Sequence, residues 1–117
     1  MHNYEKLMVW QKGMELTLLV YTLTGTFPAS EQFGLTSQMK RAAVSIPSNI
    51  AEGSRRNTKR DFCHFLDIAL GSASELDTQL RLAQNFCFGP HGDYDKIMSL
   101  LSEIMRMLQS LIKKQGR

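Results

Sequence analysis

The run from Gln38 to Gly53, Q-M-K-R-A-A-V-S-I-P-S-N-I-A-E-G, has apolar residues at helical spacing and a proline, Pro47, in its interior. Proline inside a helix removes a backbone hydrogen bond and crowds the preceding turn, at about 3 kcal/mol or more. A helix that keeps one must be held by its neighbours or retain the proline for function. At about 100° per residue, the helix over roughly 35–54 turns Leu35, Met39, Ala42, Ala43, Ile46 and Ile50 inward. Gln38, Arg41, Ser45, Ser48, Asn49 and Glu52 form a polar stripe on the same helix.

Three further segments repeat the helical pattern. The first, about 5–25, places Leu7, Trp10, Met14, Leu18 and Tyr21 on one face, which is expected to be the core face, and stops near Phe27-Pro28. The third, about 58–87, runs through Phe62, Phe65, Leu66, Ala69, Ala73, Leu76, Leu80, Ala83 and Cys87. Thr58 with Asp61 three residues on reads as its N-cap with a first-turn acid. Gly89-Pro90-His91-Gly92 breaks the chain, and Asp93 is positioned to cap a fourth helix over about 94–114, which closes on Lys113 and Lys114. No stretch alternates in the two-residue period of a strand. The expected fold is all-α, an antiparallel up-and-down four-helix bundle, with residues 1–117 as one domain.

These helices carry more apolar surface than one bundle hides. The first also has Val9, Leu16, Val20 and Leu23 opposite its assigned core face, and the third adds Ile68, Leu82 and Phe86 beside its main stripe. In the fourth, apolar residues from Ile97 to Leu111 cover about half the circumference, where a surface helix needs a stripe of about 100° or slightly more. Surplus contiguous apolar area of this kind marks an interface, so self-association is expected.

The formal net charge of +3 is unevenly distributed. From Lys40 to Arg60 there are six basic residues and one acid, leaving −2 for the remainder. Arg55, Arg56, Lys59 and Arg60 concentrate this charge at the junction of the second and third helices. There a helix N-terminus adds partial positive charge and free amides, a setting suited to phosphates. The competing reading is a merely solvated turn. Phe62 and Phe65, the nearby aromatics, belong to the core stripe, so sequence-specific reading of unstacked bases is not expected. Contacts with RNA or DNA would be to the backbone and would weaken with salt.

Catalysis finds little support. His2, His64 and His91 are scattered and none sits in a Glu-x-x-His pattern, so no metal site and no cofactor is expected. Nucleophile-elbow, phosphate-loop and dinucleotide patterns are absent. Cys63 and Cys87 fall within helical patterns and read as free, buried thiols. Gly71-Ser72, also within a helix, reads as a close helix crossing, with the serine hydroxyl satisfied on its preceding turn. Arg41, Asn49, Glu52 and Glu75 could form a recognition surface. The favoured reading is a structural network in which Arg41 reaches Glu52 or Glu75 and sets helix register within the bundle or between subunits. No run is long enough to cross a membrane, and the first 20 residues lack a leader pattern, so a cytoplasmic location is expected.

Four motifs carry a family resemblance: Leu7-x-Val9-Trp10-Gln11, Phe27-Pro28-x-x-Glu31-x-Phe33-Gly34-Leu35, the Gln38–Gly53 run, and Ala69-x-Gly71-Ser72-x-x-Glu75-Leu76. Together they resemble the four-helix-bundle family first noticed as reading frames inside intervening sequences of bacterial large-subunit ribosomal RNA genes. The resemblance spans nearly the whole chain. It implies a bacterial all-α bundle assembled as a ring-like homopentamer. A related branch comprises accessory proteins of diversity-generating retroelements, basic pentamers that bind nucleic acid and a reverse transcriptase. The combined expectation is a non-enzymatic, oligomeric scaffold associated with structured RNA. The alternative is a protein–protein adaptor that makes no contact with nucleic acid.

Overall fold

Four helices form where the periodicity places them: α1 (Met8–Thr24), α2 (Leu35–Ser54), α3 (Lys59–Asn85) and α4 (Asp93–Lys114). This computed structural model describes residues 2–116, and no strand occurs among them. One-turn 3-10 helices, Tyr4–Lys6 and Ala29–Glu31, lead into α1 and α2. Each helix packs on the next in chain order and α4 returns to α1, which makes a four-helix bundle measuring 43 × 23 × 21 Å.

The helix ends follow local chemistry. Thr58 has extended backbone and its hydroxyl accepts from the Asp61 amide at 3.1 Å, as its sequence position predicts. In α4, Asp93 and Asp95 sit in the first turn and Lys113 and Lys114 in the last, matching the helix dipole. Asp93 is not the cap, however. Gly92 occupies that position and no side chain bonds there. α3 stops short of Cys87, which adopts φ 61°. The Cys87 amide donates to the Gln84 carbonyl and the Phe88 amide to that of Ala83, both at 3.0 Å, a left-handed helix stop usually filled by glycine. The expectation of two buried thiols therefore holds for Cys63 and fails for Cys87, which this stop leaves exposed.

The core face of α1 is the reverse of the expected one. Val9, Leu16, Val20 and Leu23 are buried, whereas Met14, Leu18 and Tyr21 are exposed; Leu7 and Trp10 are half-buried at the edge. α2 explains the choice. Pro47 cannot donate to the carbonyl of Ala43, four residues earlier. Thr17 of α1 brings a hydroxyl to that carbonyl, its single proton shared between the Ala43 oxygen at 3.1 Å and the Gly13 oxygen at 2.8 Å. Gly13 faces the proline ring, and a Cβ there would reach ordinary contact, 3.4 Å from the Pro47 Cβ. Only one orientation of α1 brings Gly13 and Thr17 to Pro47, and it turns Met14, Leu18 and Tyr21 outward.

α2 and α3 approach closely near the turn between them. A Cβ on Gly53 would stand 2.8 Å from the Phe65 Cβ and 3.2 Å from the Phe62 carbonyl oxygen, so glycine is required there. Along the bundle from this contact Met39, Ala43, Ile46, Ile50, Leu66, Leu76 and Leu80 are fully buried, with Ile104 and Leu108 of α4. Each large aliphatic side chain so buried contributes about 1.5–3 kcal/mol. Phe65, assigned to the core, is only half-buried.

Candidate nucleic-acid interface

The close approach at Gly53 makes the α2–α3 connection short, and this brings the four predicted basic residues together. Arg55 closes α2, Arg56 follows it, and Lys59 and Arg60 open α3; all four are exposed. Arg56 pairs with Glu52 one turn back, and its guanidinium lies over the Phe65 ring at 4.7 Å from the centroid. That stacking holds the guanidinium in place without burying it. Lys59 and Arg60 border a recess of about 490 Å³ completed by Cys63, His64, Asp67 and the end of α4. The first amides of α3 point toward the same end, because the opening turn of a helix has no partner for them. Positive side chains, an imidazole and a helix N-terminus thus share one exposed corner of the bundle.

The second predicted group is only partly assembled. Asn49 donates to the Ser45 carbonyl at 2.7 Å and to its hydroxyl at 2.8 Å. Ser45 in turn shares a 2.8 Å hydrogen bond with Ser72 of α3. Ser72 therefore bonds across the helix seam, and not to its preceding turn as expected. Gly71 is no crossing point within the chain, since a Cβ there would meet nothing within 4 Å. Glu52 is taken by Arg56. Arg41 and Glu75 line one recess of about 400 Å³ with Gln38, Ala42, Ser45, Ser72 and Gln79, yet no ion pair joins them. In the same recess the buried side-chain oxygen of Gln79 has no donor among the described residues. Ser45, Ser72 and Gln79 form the seam that sequence reasoning missed. In the sequence Ser45 is one member of a polar stripe, and Gln79 lies in a helix whose pattern is dominated by its apolar residues.

Adjoining this recess across Arg41 and Ser45, a groove of about 750 Å³ is lined by residues that include Tyr21, Gln32, Phe33, Lys40 and Val44. Lys40 lies over the Tyr21 ring at 4.8 Å. Among the described residues, no helix is long and apolar enough to cross a membrane, and no group of three ligand-type side chains could hold a metal ion.

A four-helix bundle with a basic turn between its second and third helices is the class these observations define. Residues 5–110 match the family described as 23S rRNA-intervening sequence protein, and the chain belongs to that family. The bundle is also similar to a crystal structure of a protein of unknown function from the S23 ribosomal protein family of Bacteroides thetaiotaomicron. The two share 31% identity over 90% of this chain and 98% of that one, with a TM-score of 0.82. No curated protein matches the chain.

Proposed function

We propose that the protein is a non-enzymatic, homo-oligomeric scaffold of the cytoplasm that holds structured RNA by its phosphate backbone. The observation that carries this reading is the corner made by Arg55, Arg56, Lys59 and Arg60 at the opening of α3. Arginine forks onto phosphate oxygens in bidentate fashion, and the free amides of a helix N-terminus accept the same ligand. One corner is a weak site. Copies held in a ring, five by family resemblance, would repeat it and raise the local field, and several weak contacts on one RNA multiply their affinity. The exposed Leu18 and Phe33 support the association this requires.

The test is binding of the protein to a structured fragment of large-subunit ribosomal RNA over a range of salt. Affinity should fall linearly on a log–log plot, by about 0.7–0.9 of a unit for each phosphate contact. Replacing all four basic residues with alanine should flatten that slope and weaken binding at low salt. Binding that is absent at low salt, or that the alanine variant leaves unchanged, refutes the proposal. The protein–protein adaptor is the second reading, and Phe33, 91% exposed beside the α1–α2 groove, is the observation in its favour. A wild-type protein that stays monomeric at micromolar concentration and ignores RNA would select it.

A further inference from the structure

Three polar pairs face one another along the seam between α2 and α3. Gln38, Arg41 and Ser45 on α2, and Ser72, Glu75 and Gln79 on α3, are spaced by three and then four residues, which puts each trio on one face of its helix. The short turn makes the two helices antiparallel. Ser45 therefore stands opposite Ser72, Arg41 opposite Glu75, and Gln38 opposite Gln79. The first of these rungs is closed by the 2.8 Å hydrogen bond between the two hydroxyls. The other two are open. Among the described residues no ion pair joins Arg41 to Glu75, and the Gln79 side-chain oxygen takes no bond from Gln38. The open rungs are the recess of about 400 Å³, within the size range of small-ligand sites.

Water satisfies Arg41 and Glu75, which are exposed, but the Gln79 oxygen is buried and has no donor. A bound group that donates to it completes the recess. The side chains present define that group. Glu75 offers two carboxylate oxygens, Gln79 a further acceptor, and Arg41 a rigid fork of N–H donors. The ligand must present adjacent donors on one edge and adjacent acceptors on the next. Among the nucleobases only guanine does so: N1–H and the N2 amino group suit a carboxylate, while O6 and N7 accept from an arginine. Adenine and cytosine each set one exocyclic donor beside ring acceptors, and uracil has a single N–H between two acceptors. The adjoining groove supplies what the rest of a nucleotide needs. Lys40, held over the Tyr21 ring, stands there for a phosphate, and Ser48 and Asn49 line it for ribose hydroxyls.

We infer that this recess seats the base of a guanine nucleotide, either free or in an unpaired stretch of RNA. Glu75 takes N1–H and one amino hydrogen, the Gln79 oxygen takes the other, and Arg41 donates to O6 and N7. The seat shares no residue with the basic corner, so it stands or falls apart from the reading proposed above.

Calorimetric titration with the monophosphates of guanosine, inosine and adenosine tests the base directly. Guanosine monophosphate should bind about tenfold or more tightly than adenosine monophosphate, the discrimination one bidentate contact supplies. Inosine lacks the amino group and should lose most of that advantage. Glu75→Gln should bind the guanosine and inosine compounds alike, and Arg41→Lys, which keeps the charge without the fork, should weaken both. Both positions are exposed, so circular dichroism should show each variant as helical as wild type. A second arm uses a short single-stranded RNA with one guanosine among uridines. If changing that guanosine to adenosine weakens binding about tenfold, the seat serves an RNA strand; if only the free nucleotide is discriminated, it serves that nucleotide. Guanosine and adenosine bound alike or not at all in both arms, or discrimination that survives Glu75→Gln, overturns the inference, whatever the salt dependence of RNA binding at the basic corner.

Discussion

Thr17→Val isolates the hydrogen bond that lets α2 contain a proline. The two side chains have nearly the same shape and similar helix propensity, so the change deletes a hydroxyl and little else. In the wild-type background it strips the buried Ala43 carbonyl of its donor, 3.1 Å away, because residue 47 has no N–H to replace it. A buried acceptor left without a partner is destabilising by about 1–3 kcal/mol. In a Pro47→Ala background the amide of residue 47 can donate to Ala43 along the helix. There Thr17→Val removes a redundant bond, and its effect should shrink to about 0.5 kcal/mol. The expected coupling between the sites is therefore about 1–2 kcal/mol, typical of residues in direct contact. Urea unfolding followed by circular dichroism reads this directly. With a slope of about 1–3 kcal/mol per molar, the Thr17→Val midpoint should drop by about 0.5–1 M in the wild-type background and by much less in the other. Several protein concentrations are needed, because association shifts apparent stability by mass action. An equal effect of Thr17→Val in both backgrounds would show that Thr17 does not serve the Ala43 carbonyl, and this account of Pro47 would be wrong.

Gly53→Ala sets helix propensity against packing. Alanine gains up to about 1 kcal/mol as a helix former, but its Cβ would lie 2.8 Å from that of Phe65, and overpacking of this kind costs about 1–3 kcal/mol. Thermal unfolding should occur at lower temperature, and a rise would refute the close approach. Cys87→Gly relieves a left-handed residue at the end of α3 and should raise stability by about 1 kcal/mol in urea titrations; an unchanged midpoint counts against the stop described here. Burial, and secondarily the Cys87 thiol, pushes the Tyr94 hydroxyl above its ordinary pKa of 10.0, and that hydroxyl donates to the Phe88 carbonyl at 2.6 Å. A raised folded-state value means the contribution is fully present below about pH 10 and is lost as pH climbs through the folded pKa. The difference in unfolding free energy between wild type and Tyr94→Phe should therefore be flat to about pH 10 and narrow above it. A difference that widens there reverses the assigned sign.

Legibility differed by helix. α2 and α4 present one apolar face and one polar face, so the circular projection had a single solution, and α2 was placed to within a residue at each end. α1 has two apolar stripes, and projection alone cannot choose between them. Leu7, Trp10, Met14, Leu18 and Tyr21 are the bulkier set and were assigned inward, while the smaller Val9, Leu16, Val20 and Leu23 are the buried ones. A signal that could have decided it was present in Gly13 and Thr17. A helix-interior glycine marks a close approach, and a threonine one turn away offers a donor, which is what a helix containing a buried proline needs. At the end of α3, Cys87 was read as helical because its type does not advertise a left-handed conformation; a glycine there would have.

The same distinction separates the two candidate sites. The basic corner depends on residues close in sequence, joined by a turn whose length Gly53 limits, so a linear reading could assemble it. The polar group depends on how α2 faces α3, and that register is set by Ser45, Asn49 and Ser72, of which only Asn49 had been singled out as a network member. Arg41 pairs with no carboxylate among the described residues: Glu52 is held by Arg56, and Glu75 shares a recess with Arg41 without pairing. An exposed guanidinium and an exposed carboxylate can remain solvated at little penalty, since surface pairs are worth about 0–1 kcal/mol. What water does not account for is Gly71, an unfavourable helix residue that relieves no contact inside the subunit. Explained by the chain alone, it is a small defect in a long helix.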